Sequence, residues 1–220
     1  NGGNFIQGTG SRIKNNFNDE NGGGVCIVNG GSFEMEGGEI TGNGKNPTGT
    51  RHPITKNGGG VYLNGGNFTL SDGSITLNSV QENGGGVFLT GDNCVYTLKK
   101  GNITGNSSSN GGGVYLEKGM FNLGNEDNVY DGNISENRAN KGGGVYIGSA
   151  SGNTSTINTE ESNSNEGFKM LGGKIERNAT SSDGGGIYLM GGDFTLIKGT
   201  IKHNESKTNG GGVYLNGGKF

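Results

Sequence analysis

The chain has 220 residues, of which 27% are apolar and 51 are glycine, with two prolines, no tryptophan and a net charge of -3. That composition leans toward the disordered class, yet it is not basic enough for a nucleic-acid binder, and it holds no run of about 18 apolar residues that could cross a membrane. No signal peptide is visible and the first residue is not methionine, so a processed or truncated start is expected.

In chain order, the first elements are short apolar segments around Phe5 and Ile13, followed by Asn16. The block Gly22-Gly23-Gly24-Val25 then opens a cycle that returns six more times, at Val61, Val87, Val114, Val145, Ile187 and Val213. Within each cycle an aromatic residue follows: Phe33, Phe68, Tyr96, Phe121, Phe168, Phe194 and, at the end, Phe220. Next comes an isoleucine: Ile40, Ile75, Ile103, Ile134, Ile175 and Ile201. Three residues after each isoleucine stands an asparagine, giving the column Asn16, Asn43, Asn78, Asn106, Asn137, Asn178 and Asn204. The shortest interval is 26 residues, as from Val61 to Val87. Longer intervals carry insertions at 44–56, 124–131 and 148–166.

Each apolar triplet alternates as a strand does: Val61 in, Tyr62 out, Leu63 in, then Phe68 in, Thr69 out, Leu70 in. Three residues bury too little to stand alone. Stacked on copies of themselves at about 4.8 Å per layer, they become rungs of long parallel sheets. Three triplets per cycle predict an all-β, three-sided parallel β-helix (β-solenoid), of about 26 residues per coil and about seven to eight coils. A leucine-rich repeat is disfavoured, because the return paths "SVQENGGG" and "SSSNGGG" cannot form a helix. Gly38, Gly73, Gly101, Gly132, Gly173 and Gly199, each two before a core isoleucine, are the expected corners. The asparagine column is expected to point inward as a structural ladder of amides.

The motifs "GGGVYL" and "ITGN", "ISEN", "IERN" resemble the GGA[ILV] and FxxN repeat pair of chlamydial polymorphic membrane proteins. They are also similar to right-handed parallel β-helix surface proteins and autotransporter passengers, over all 220 residues. Here GGG-Val-Tyr stands for GGA-Ile, and isoleucine mostly replaces the phenylalanine of FxxN. The resemblance implies a right-handed coil, surface display and adhesion, hence an extracellular or cell-surface location.

The outward row Tyr62, Phe88, Tyr115, Tyr146, Tyr188 and Tyr214 reads either as a self-stacking ladder or as an exposed contact stripe for a neighbouring rod or a glycan. Charges on adjacent coils gather only at Glu136, Glu176, Arg177, Lys202 and His203. Cross-rung ion pairing accounts for them better than paired catalytic carboxylates do. No catalytic residue, metal site or cofactor is therefore expected. The chain opens on "NGGNF" and closes on "NGGKF", the same phase of the coil and without a cap. It is expected to be one segment of a longer array, its ends met by further coils or by identical subunits. The overall expectation is a non-enzymatic structural or adhesive repeat region, with a carbohydrate-binding or polysaccharide-cleaving β-helix as the alternative.

Overall fold

The structure, a computed structural model, describes residues 2–45, 55–125, 132–148 and 167–220. Most of each predicted insertion lies outside the described residues. Among the described residues there is no helix, and 17 strands join in one parallel sheet.

The three sequence columns are three ladders. Val25, Val61, Val87, Val114, Val145, Ile187 and Val213 pair in succession along the first. Phe5, Phe33, Phe68, Tyr96, Phe121, Phe168 and Phe194 form the second. Ile13, Ile40, Ile75, Ile103, Ile134, Ile175 and Ile201 form the third. Register is fixed because a one-residue slip would turn every buried side chain to the other face. Inward side chains from all three ladders meet in one core, including Val61, Leu63, Phe68, Leu70 and Ile75 of a single rung. This is how so low an apolar content suffices: each rung contributes a few side chains, and like packs on like.

The Gly-Gly-Gly segment is an extended stack as well as a turn. Gly58, Gly59, Gly60 and Val61 donate main-chain hydrogen bonds to Asn83, Gly84, Gly86 and Gly86, with the Gly60 N–H shared with Gly85. A Cβ on Gly59 would lie 2.5 Å from the Gly85 carbonyl oxygen, so close approach of backbones excludes a side chain there. The corner before the third ladder behaves as the sequence implies at Gly73, whose φ is 101°. Gly132 departs from that expectation. Its φ is not positive, and glycine is needed there for space, since a Cβ would meet Leu98 Cγ at 2.6 Å.

The return path also pairs. Arg138–Ala139, Ala179–Thr180 and Glu205–Ser206 form a small parallel sheet, extended by isolated bridges from Ser79 to Ser107 and from Ser107 to Arg138. The sequence reading leaves this segment unpaired, because serine, arginine and alanine carry no strand pattern at that position.

Candidate functional site

Asn43, Asn78, Asn106, Asn137 and Asn178 are fully buried. Each amide is used on both sides. Asn78 Nδ2 donates to the Ile40 carbonyl at 2.9 Å and to Asn106 Oδ1 at 3.0 Å, and Asn106 Oδ1 also accepts the Asn78 main-chain N–H at 2.9 Å. The same three bonds recur at Asn43, Asn106, Asn137 and Asn178, while Asn16 bonds Asn43 Oδ1 and Asn204 Nδ2 reaches the Ile175 carbonyl. A buried polar column this complete incurs no desolvation penalty for orphaned groups.

A second asparagine column escapes the sequence reading. Asn57 Nδ2 donates to Asn21 Oδ1, Asn83 to Asn57 and Asn110 to Asn83, at 2.9, 2.9 and 3.0 Å. The signal was present, since an asparagine directly precedes five of the seven Gly-Gly-Gly blocks, the first four in succession, with Lys141 and Asp183 interrupting the run before Asn209.

The residue before each ladder asparagine is left-handed: Asn15, Gly42, Leu77, Gly105, Glu136, Arg177 and His203 all have φ between 53° and 65°. Of the charged group flagged in the sequence, Glu136, Arg177 and His203 occupy this column of corner positions, while Glu176 and Lys202 pair with each other at the adjoining strand end. The Glu176 carboxylate is buried and meets Lys202 Nζ at 3.3 Å and Arg177 Nη1 at 3.6 Å. The geometry joins Glu176, Arg177 and Lys202 in an ion-pair network across two rungs.

The aromatic row Tyr62, Phe88, Tyr115, Tyr146, Tyr188 and Tyr214 stacks continuously, with ring centroids 4.8 to 5.4 Å apart. It forms a cluster separate from the core. Of the two readings of this row, a self-stacking ladder or an exposed contact stripe, the burial bears on the second: Phe88, Tyr115, Tyr146 and Tyr188 are buried, while Tyr62 and Tyr214 are half-exposed. Neighbouring rings, Met190 Sδ against the Tyr146 hydroxyl, and the Lys141 ammonium 5.3 Å over the Tyr188 ring take up the outer side. Replacing Tyr115 and Tyr146 together with threonine removes three stacked pairs, each contributing about 0.5–1.5 kcal/mol. A loss of about 2–3 kcal/mol in urea unfolding is expected, and an unchanged midpoint would show that the stack adds nothing.

Burial also sets the phenol chemistry. Tyr96 is fully enclosed in the second ladder, and burial raises its pKa well above the usual value. Burial likewise raises Tyr115, Tyr146 and Tyr62, with Tyr146 adding to the effect on Tyr115 and Tyr188 to that on Tyr146. Unfolded tyrosine ionises near pH 10, so the stability of the neutral phenols is intact below about pH 10 and is lost as pH rises toward the folded values. Tyr96 alone gives a fall of about 1.4 kcal/mol per pH unit above that point. Its hydroxyl is buried without a hydrogen-bond partner among the described residues. Tyr96→Phe is expected to raise stability at neutral pH by about 1–2 kcal/mol and to flatten the alkaline fall. Urea titrations at a series of pH values measure both, and an equal slope in the two proteins would refute the assignment.

A shallow polar groove of about 370 Å³ runs past the corner before the third ladder, lined by Ser11, Arg12, Glu39, Asp72, Ser74 and Asn102. Its carboxylates are engaged: Glu39 with Arg12 at 3.0 Å, and Asp72 with Lys100 at 2.7 Å. The pairing with Lys100 and the Gly73 N–H hold the Asp72 carboxyl below its usual pKa. Among the described residues no three His, Cys, Asp or Glu side chains are grouped to hold a metal ion; Cys26 is a free thiol, and the Cys94 thiol donates toward the Thr90 and Gly91 carbonyls at 3.3 and 3.2 Å. No protein-family model, curated protein or solved structure matches this chain.

Proposed function

We propose that the chain is a segment of a three-sided parallel β-solenoid, of about 26 residues per coil and about seven to eight coils. Its role is a non-enzymatic structural or adhesive element outside the cell: a stalk, a fibre or the repeat region of a surface adhesin. The observation that carries the reading is the like-on-like register of all three ladders and of the asparagine column. Side chains that elsewhere would build a site are committed to holding one rung on the next, which favours a long, stiff particle. The surface location and the right-handed coil rest on the resemblance of the Gly-Gly-Gly-Val-Tyr and Ile-x-x-Asn motifs to bacterial surface repeats.

Small-angle scattering of the 220-residue chain tests the architecture. A rod with the cross-section of a single coil is expected, and a globular profile would refute it. Labelling of intact source cells with an antibody tests the location, and staining only after permeabilisation would overturn it. The groove beside Ser11, Ser74 and Asn102 favours a second reading, carbohydrate binding, because hydroxyl and amide groups line it. Retention of a glycan on an array, lost on Asn102→Leu, would favour that reading over a purely structural one.

A further inference from the structure

Asparagine stands directly before glycine nine times among the described residues. At five of these peptides the glycine N–H is held by a neighbouring rung. Gly22 donates to the Asn57 carbonyl, Gly44 to Asn16, Gly58 to Asn83, Gly84 to Asn110 and Gly111 to Lys141. The asparagine amides there are tied as well: Asn43 in the buried ladder, and Asn57, Asn83 and Asn110 in the second column.

Asn64–Gly65, at the bend between the first and second ladders, is placed differently. Asn64 pairs with Val28 in one neighbouring rung and with Thr90 in the other. Pairing resumes only at Gly66 on the first side and at Asn67 on the second, so it passes over Gly65 on both. Asn64 is exposed even though described rungs flank it on either side. Gly65 has a φ of 77°, and a Cβ placed on it would meet no atom nearer than 4.0 Å, so nothing is packed beside the bend. The Asn64 side chain bonds the hydroxyl of the half-exposed Tyr62, a contact that water can replace. The same Asn-Gly-Gly bend returns at Asn29 and Asn216 in the outer rungs.

We propose that Asn64–Gly65 is a modification site, at which the chain converts asparagine to isoaspartate with water as the co-reactant. Glycine leaves the attacking nitrogen unhindered and the backbone free to turn toward the side chain. The Gly65 main-chain nitrogen gives its proton to water and attacks Asn64 Cγ. The Cγ–Nδ2 bond breaks, the side-chain nitrogen leaves as ammonia, and a cyclic imide remains. Water then adds to one of the two imide carbonyls and opens the ring. One opening gives aspartate, and the other gives isoaspartate, in which the main chain runs through Cγ. One water is consumed and one ammonia released, with no change of oxidation state. At the five held peptides the same attack first requires the rung to open, so the ladders protect them. A Cβ on Gly91 would lie 2.4 Å from Asn64 Oδ1, so the Asn64 side chain rests on the next rung. Conversion puts a negative charge and an additional main-chain atom at that contact.

Incubation of the folded 220-residue chain for weeks in mildly alkaline buffer tests this, beside the same chain unfolded in guanidinium chloride. Peptide mass spectrometry follows each asparagine, and isoaspartyl methyltransferase with labelled S-adenosylmethionine identifies the product. In the unfolded chain the Asn–Gly peptides should react at similar rates. In the folded chain Asn64 should react at least about tenfold faster than Asn57, Asn83 and Asn110, and its peptide should take the methyl label. Asn64→Gln, checked for folding by circular dichroism, should abolish the label on that peptide and leave the others unchanged. Should that variant fail to fold, the comparison between sites in the unmodified chain decides. Equal rates at Asn64 and at the column asparagines of the folded chain overturn the proposal. So does an unreacted Asn64 while the unfolded sample converts. Aspartate at Asn64 without isoaspartate also overturns it, since that product comes from direct hydrolysis of the side chain.

Discussion

Asn137→Ala is expected to lower the unfolding free energy by about 3–6 kcal/mol. Truncation removes the Oδ1 that accepts from the Asn106 main-chain N–H at 2.9 Å and from Asn106 Nδ2 at 3.0 Å. It also removes the donor to the Ile103 carbonyl at 2.9 Å. The Asn106 main-chain N–H and one of the two Asn106 Nδ2 hydrogens are then left buried without an acceptor, the other still reaching the Ile75 carbonyl, at about 1–3 kcal/mol each, and a small cavity adds to the loss. No water can readily replace the amide, because Asn106, Asn137 and Asn178 are all fully buried. Asn137→Asp separates hydrogen bonding from shape. The carboxylate keeps both acceptor roles but turns an unprotonated oxygen toward the Ile103 carbonyl and Asn178 Oδ1, where Nδ2 had donated. Burial and these oxygens raise the folded pKa of that aspartate above its unfolded value of about 3.9. The protonated form is therefore the stable one, and the variant should lose stability as pH rises from about 4 and regain part of it on acidification. Urea unfolding of both variants across pH provides the measurement. A loss below about 1 kcal/mol for the alanine variant would show that the column is not what holds the turns in register.

The ladders were legible in the sequence for a specific reason. Val, Phe and Ile recur at fixed phase because each must fill the same slot against its own copy, so packing writes itself as periodicity. The ladder asparagines were legible by the same argument, with hydrogen bonds in place of packing. Other features leave no such record. The left-handed corner is filled by Asn15, Gly42, Leu77, Gly105, Glu136, Arg177 and His203, a set with no common chemistry, because the adjoining hydrogen bonds hold that conformation whatever the side chain. Alternation told correctly that Tyr115 and Tyr146 stand outside the core cluster. It could not tell that they are buried there, since burial depends on the rings above and below, which strand parity does not encode. The register shift at the bend beside Leu171 was invisible for a related reason. Met170–Lys174 and Leu196–Thr200 are equal in length, and only the pairing of Leu171 with Lys198 exposes it.

Phe121→Ala is the second large effect, with an expected loss of about 3–5 kcal/mol. Phe121 is fully buried, with its ring 4.7 Å from Tyr96 and 4.8 Å from Phe168, in both cases within 5° of parallel. The main-chain ladder fixes the rung spacing, so neighbouring rungs cannot close on the gap, and the site keeps most of its cavity. Phe5, 53% exposed and stacked, among the described residues, on Phe33 alone, should lose far less when truncated. Position along the stack adds a further signature. Each rung touches chiefly its two neighbours, so stability is close to a sum of rung and interface terms. A weak interface in the middle should let the two sides unfold separately, lowering the apparent m-value and separating transitions followed by different probes. Phe121→Leu keeps most of the volume and should restore a single transition. Urea unfolding followed by far-ultraviolet circular dichroism and by tyrosine fluorescence distinguishes these cases. A single, coincident transition for Phe121→Ala with a loss under 1 kcal/mol would mean that the aromatic column does not carry the coupling between rungs.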